Sequence, residues 1–338
     1  MKNLLLASIF LIFFVSCSDK KNKEQIKKED YTALQKTAST MFGKLPEVAE
    51  NPENPITKEK VELGKKLYLD NRLSKDNTQS CNTCHDLKNY GVDNLSTSPG
   101  NDGGLGTRNS PTVFNAALHM SQFWDGREPD VEAQAGGPIL NPVEMAMPNE
   151  KIVVERLSKI KEYNTLFTNV FPKDKNPINY KNIQNAIGAF ERTLITPSRF
   201  DEFLEGDMNA LTTEEKEGLQ LFISTGCVAC HSSNVLGGNI YQKFGLYDDY
   251  WKHTKSKKID EGKFEVTKKE SDKYVFKSPS LRNIEKTYPY FHDGSVTDLK
   301  EAVTIMAKVQ LNKDLAEKDL NALVAFLNSL TGELPKNI

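Results

Sequence analysis

The chain has 338 residues, with 44 Lys and Arg against 46 Asp and Glu and a formal net charge of −2. A balance this close to neutral lacks the basic field that nucleic acid requires, so no nucleic-acid partner is expected. The cysteines are Cys17, Cys81, Cys84, Cys227 and Cys230; four of them fall in two copies of one short motif, which leaves none to build a disulfide framework.

In chain order, Lys2 precedes an apolar run over residues 4–15, the length of a secretory core and short for a membrane span. Val15-Ser16-Cys17 resembles a bacterial lipobox, so residues 1–17 read as a lipoprotein signal peptide with Cys17 as the lipidated residue. The polar stretch 18–45 reads as a tether. The mature protein is then expected in the periplasm, held by lipid on an envelope membrane of a Gram-negative bacterium.

"ITKEKVELGKKLY" precedes the first motif and "LTTEEKEGLQLF" precedes the second. Gly64, Leu67 and Tyr68 line up with Gly218, Leu221 and Phe222, and each segment opens with threonine and acidic residues, as helix N-termini do; Thr212 with Glu215 forms a capping-box pattern. Residues 150–205 read as helices bridging two units. "KHTKSKKIDEGKFEVTKKESDK" reads as a solvated loop, with Trp251 and His253 beside it as packing or surface residues. Leu320, Leu323, Leu327 and Leu330 run at helical spacing and should close a second domain. Strand signals are weak throughout.

The motifs themselves are "SCNTCH" and "GCVACH". Zinc would need more Cys or His ligands nearby, and only His119, His253 and His292 lie outside the motifs. A thioredoxin-like pair would not need the trailing histidine. Covalent c-type haem uses all three residues: the thiols bond to the haem edge and the imidazole ligates the iron. Two haem c groups are therefore expected, one on Cys81, Cys84 and His85, the other on Cys227, Cys230 and His231.

The segment 108–148, dense in Gly, Pro, Asn and aromatic residues, contains "NSPTVFNA", "FWDGR" and "NPVEM", and "LRNIEKTYPYFHDGS" follows later. On these motifs residues 45–335 closely resemble the bacterial dihaem cytochrome c peroxidases, the family that also includes MauG. The resemblance implies a mainly α fold of two cytochrome c-like haem domains joined by long loops. It divides the chain into a peroxidatic domain over 46–205 and an electron-transfer domain over 206–338. It implies that hydrogen peroxide is reduced at the N-terminal haem, with Gln134 and Glu144 in the pocket. Electrons would come from a small cytochrome c or cupredoxin through the C-terminal haem, whose second ligand matches Met306, and would pass Trp124. It further implies a calcium ion held by Asn109, Thr287 and Pro289, a structural His292, and a homodimer.

One departure stands out. Many family members cap the N-terminal iron with a histidine from the loop after the first motif. Here "DLKNYGVDNLSTSPGNDGGLGTRNS" has none, and Asn101 occupies the aligned position. The expectation is a first haem that reacts without prior reduction. The glycines at 100, 103, 104 and 106 suggest a mobile loop. A MauG-like oxidase and a non-enzymatic electron carrier stand as the alternatives.

Overall fold

The computed structural model describes residues 31–336 and 338; the signal-peptide and lipidation readings, Cys17 included, lie outside them. The helices are α1 (31–42), α2 (Lys58–Tyr68), the one-turn α3 (Cys81–Cys84), α4 (Val131–Leu140), α5 (Glu150–Ser158), α6 (Lys161–Val170), α7 (Tyr180–Glu191), α8 (Arg199–Leu204), α9 (Thr213–Thr225), α10 (Phe264–Thr267), α11 (Leu299–Leu311) and α12 (Glu317–Asn328). The sheet among these residues is a single antiparallel pair, β1 (Tyr241–Lys243) with β2 (Val275–Lys277), in which Tyr241 faces Lys277. No helix among the described residues is long and apolar enough to cross a membrane.

The architecture is one helix crossing built twice. A Cβ on Gly64 of α2 would lie 1.9 Å from the Ala186 carbonyl oxygen of α7 and 2.8 Å from Phe190 Cβ. A Cβ on Gly218 of α9 would lie 1.9 Å from the Ala322 carbonyl oxygen of α12 and 2.8 Å from Phe326 Cβ. Only glycine lets the backbones approach this closely. Beside each crossing an aromatic pair packs at the same ring separation, 5.3 Å for Tyr68 with Phe190 and 5.3 Å for Phe222 with Phe326. Both N-termini are capped from the sequence: Thr57 accepts from the Lys60 amide, and Thr212 and Glu215 form the reciprocal box.

Three differences from the sequence reading follow from packing. Helix α7 does not bridge two units; it is the partner of α2, and Ile183, Ala186, Ile187 and Phe190 make it the closing helix of the first core. Residues 31–42 are not tether. Their composition is polar, but Leu34, Ala38 and Phe42 recur at four-residue spacing and seat the helix in the second core, where Phe42 meets Phe200 edge-on at 5.5 Å. Gln35 and Ser39 also donate to the Leu204 carbonyl at 2.7 and 2.6 Å. The stretch read as a solvated loop carries Asp260, which is turned inward against Arg108 of the first half.

Candidate active site

The first motif lies on α3. Ser80 and Thr83 cap its turn reciprocally, and the His85 amide donates to the Cys81 carbonyl at 3.0 Å. Tyr68, fully buried on α2, donates its hydroxyl to the His85 carbonyl at 2.7 Å, so the N-terminal helix fixes the motif. Burial pushes the His85 imidazole toward its neutral form, and its Nδ1 is buried with no protein partner among the described residues. The second motif follows Gly226, whose left-handed φ of 100° ends α9. His231 is also kept neutral by burial. Its Nδ1 lies 3.2 Å from the Leu236 carbonyl, an acceptor only, so Nδ1 carries the proton and Nε2 keeps its lone pair. Ser278, just after β2, donates to the Cys230 carbonyl at 2.9 Å and fixes the same segment.

The four motif cysteines are unpaired and half-buried. Burial raises the thiols of Cys81, Cys84 and Cys227. Among the described residues no group of three or more His, Cys, Asp or Glu gathers around a metal-ion site, so zinc finds no ligand set. Protonated thiols beside a neutral imidazole with a free ring nitrogen are the donor set that covalent haem requires, so the residues present fit that group.

Gln134 is half-buried on α4. Pro138 sits inside this helix and has no N–H to offer the Gln134 carbonyl. The following turn folds back on the helix: Met145 N donates to Pro138 O at 3.1 Å and Met147 N to Ile139 O at 2.9 Å. Met145 and Met147 are buried in the first core, so Glu144 is delivered by an anchored turn. Burial raises the Glu144 carboxyl, opposed by the Arg127 charge and the Asn141 amide. The carboxylate acts in turn on the Cys84 thiol, which puts Glu144 and the first motif within electrostatic reach of each other.

The glycine-rich loop is tied down on this turn. The Asn101 amide donates to the Glu144 carbonyl at 2.7 Å, and a Cβ on Gly100 would lie 2.2 Å from the Val143 carbonyl oxygen. The Asn101 side chain faces away, bonding Asp76, Thr78 and Asp102.

Between the two halves, Trp124 donates its indole N–H to the Asn109 carbonyl at 2.9 Å and accepts from the Lys277 amide of β2 at 2.8 Å. Trp124 and Met306 flank the same aromatic cluster, with Phe244, Tyr250 and Phe276 at its centre. His292 is buried there too, stacked on Phe276 at 4.4 Å and edge-on to Trp124 at 6.4 Å. His119 is half-buried, its Nδ1 accepting from Lys277 at 3.2 Å. Asn109 donates to the Leu95 carbonyl at 2.9 Å, and its backbone amide donates to His292 O at 2.7 Å. Asn94 donates to Tyr288 O at 2.7 Å, the residue between Thr287 and Pro289. Sequence reasoning passed over Arg108, which binds Asp125 at 2.5 Å and Asp260 at 2.6 Å, and over Arg127, which binds Asp125 at 3.0 Å. The only signal for Arg127 was the "DGR" that follows Trp124.

A family model described as di-haem cytochrome c peroxidase matches residues 58–209, and one described as cytochrome c matches 215–331. The cytochrome c551 peroxidase of Pseudomonas aeruginosa is 47% identical over 309 residues, covering 90% of this chain and 88% of its own. That of Nitrosomonas europaea is 45% identical, covering 86% and 84%. The crystal structure of a MauG-like protein associated with microbial copper homeostasis superposes with a TM-score of 0.78 at 29% identity, covering 87% of this chain and 95% of that one. A mainly helical chain with two cytochrome c-like halves, matched over most of its length in this way, belongs to the di-haem cytochrome c peroxidases, peroxidase-type oxidoreductases that carry two haem c groups.

Proposed function

We propose that the chain reduces hydrogen peroxide to water at a first haem held by Cys81, Cys84 and His85, with electrons supplied one at a time by a small cytochrome c or cupredoxin. The second haem would be held by Cys227, Cys230 and His231, with Met306 as a further ligand. When bound, the haems supply the redox chemistry that cleaves the O–O bond and relays two electrons. The protein supplies proton control. Glu144 accepts the proton from one peroxide oxygen and returns it to the other, while Gln134 orients the peroxide. Two electrons and two protons convert each peroxide to two waters. Trp124 couples the halves, and a cation on Asn109, Thr287 and Pro289 pins the seam beside it.

The observation that carries this reading is the anchored Glu144 turn beside the first motif, covered by a loop that brings no histidine. The Asn101 side chain is engaged with Asp76, Thr78 and Asp102 on the outer side of that loop, which supports a first haem that would react without prior reduction. Rapid mixing of the diferric protein with peroxide tests it. The expected result is a prompt spectral change at the first haem, slowed about a hundredfold or more in Glu144→Gln. A diferric spectrum that is low-spin at both haems would defeat the uncapped first iron, and an unchanged Glu144→Gln rate would defeat the proton role. The likeness to a MauG-like structure supports a second reading, oxidation of another protein. It predicts no turnover with reduced cytochrome. We further propose the periplasm as the location and Cys17 as a lipid anchor, which globomycin-sensitive processing and palmitate labelling would test.

A further inference from the structure

The turn 122–128 has two working faces. It is closed by Gln122 N donating to Glu128 O at 2.7 Å, with Phe123 and Gly126 both in the left-handed region at φ 65° and 68°. One face sends Trp124 into the seam between the halves. The other sends Phe123 and Arg127 back over the first domain. The Phe123 ring lies 3.7 Å from where a Gly137 Cβ would stand, so it covers the last turn of α4. Arg127 stacks its guanidinium on that ring, 3.4 Å from the centroid, and binds Asp125 with Nη1 at 3.1 and 3.0 Å. Asp125 is only 5% exposed and also takes Arg108 at 2.5 Å, so it cannot swing away. The guanidinium is therefore fixed at the carbonyl end of a ten-residue helix, where a cation is favoured. Gly137 in turn accepts from Asn141 N, and Asn141 accepts from Glu144 N, so the element under Phe123 is the one that delivers the acid.

We propose that Arg127 is a positioning residue for Glu144: the turn holds a guanidinium over the end of the helix that leads into the Glu144 turn, so that the carboxylate is kept ready to take a proton from hydrogen peroxide. This rests on the proton role given to Glu144 above. The charge environment supports it. Burial pushes the Glu144 carboxyl up, and Arg127 is the leading opposing influence, ahead of the Asn141 amide. The other neighbours do not substitute for it. The Cys84 thiol is consumed by haem attachment, and the loop over Glu144 contributes backbone at Gly100 and Asn101, its Asp102 being paired outward with Lys75 at 3.0 Å.

The test uses the diferric holoprotein and two readouts. Infrared difference spectroscopy follows the protonated carboxyl band, assigned by its loss in Glu144→Gln, across pH. Stopped flow follows the rate with hydrogen peroxide across the same range. In Arg127→Gln both the carboxyl midpoint and the acid limb of the rate move to higher pH by roughly one unit, the low end of what a neighbouring opposite charge contributes. Arg127→Lys restores much of both. An unmoved carboxyl midpoint in Arg127→Gln, with haem spectra intact, overturns the proposal. A midpoint that moves while the rate profile stays supports the hold of Arg127 on Glu144 and overturns the proton role of Glu144 instead. Arg127 is partly exposed, with 37% of its side chain accessible, so the variants are expected to fold.

Discussion

Replacing Gly218 by alanine tests the doubled helix crossing directly. The new Cβ would start 1.9 Å from the Ala322 carbonyl oxygen and 2.8 Å from Phe326 Cβ. An ordinary contact between such atoms is about 3.5 Å, so α9 and α12 must part by roughly 1.5 Å. The atom in the way is helix backbone, which cannot rotate aside. Overpacking of this kind costs about 1–3 kcal/mol or more, and a rigid backbone puts it at the upper end. Alanine recovers about 1 kcal/mol of helix propensity, leaving a net loss of roughly 2 kcal/mol. For a domain of this size that lowers Tm by roughly 7 °C. Gly64 meets Ala186 at the same 1.9 Å, so Gly64→Ala should cost the other half a similar amount. Calorimetry, with the Soret and visible bands of each haem as local reporters, checks both. Gly218→Ala should disturb the second haem, and Gly64→Ala the first. A variant of either kind that melts with the parent protein would refute the close-approach argument.

Asn101→His gives up the outward bonds to Asp76, Thr78 and Asp102 and frees the side chain at 101 to turn inward; a low-spin diferric first haem whose peroxide reactivity depends on prior reduction, read by EPR, is the expected outcome. Arg192→Leu strands Glu132, which is 2% exposed and held by Arg192 at 2.7 Å on both oxygens; the loss should be about 3–5 kcal/mol in denaturant melts. Burial raises that carboxyl, but hydrogen bonds from Arg192 and Asn54 outweigh it and hold it at about 2. The folded value lies below the unfolded one, so this stabilisation is complete above the ordinary carboxylate range and fades as pH falls toward 2; Glu132→Gln should flatten acid unfolding in that window. Chelation of calcium should loosen the seam at Asn109 and shift the fluorescence of Trp124, measured in Trp251→Phe; a spectrum indifferent to chelator and to added calcium would remove the cation site.

Local rules carried most of the architecture. The capping box at Thr212, the glycines at 64 and 218 and the two CxxCH motifs are short-range signals, and each sits where a helix end or crossing requires it. Helix α1 was hidden because its polar residues outnumber the apolar stripe that docks it. Helix α7 looked like a connector because its partner, α2, lies more than a hundred residues earlier. The Arg108–Asp260 pair joins residues 152 apart, a relation that no local pattern encodes. The loop over Glu144 looked mobile from its glycines, but at Gly100 the missing side chain serves close packing rather than freedom.

The docking of residues 31–42 on the second core has a geometric consequence for the living cell. With Cys17 as the point of lipid attachment, only 14 positions separate the acyl chains from Tyr31, a leash of about 50 Å at full stretch. Under the proposed anchoring, the second half would carry the point of attachment, and the first half would be held only through it.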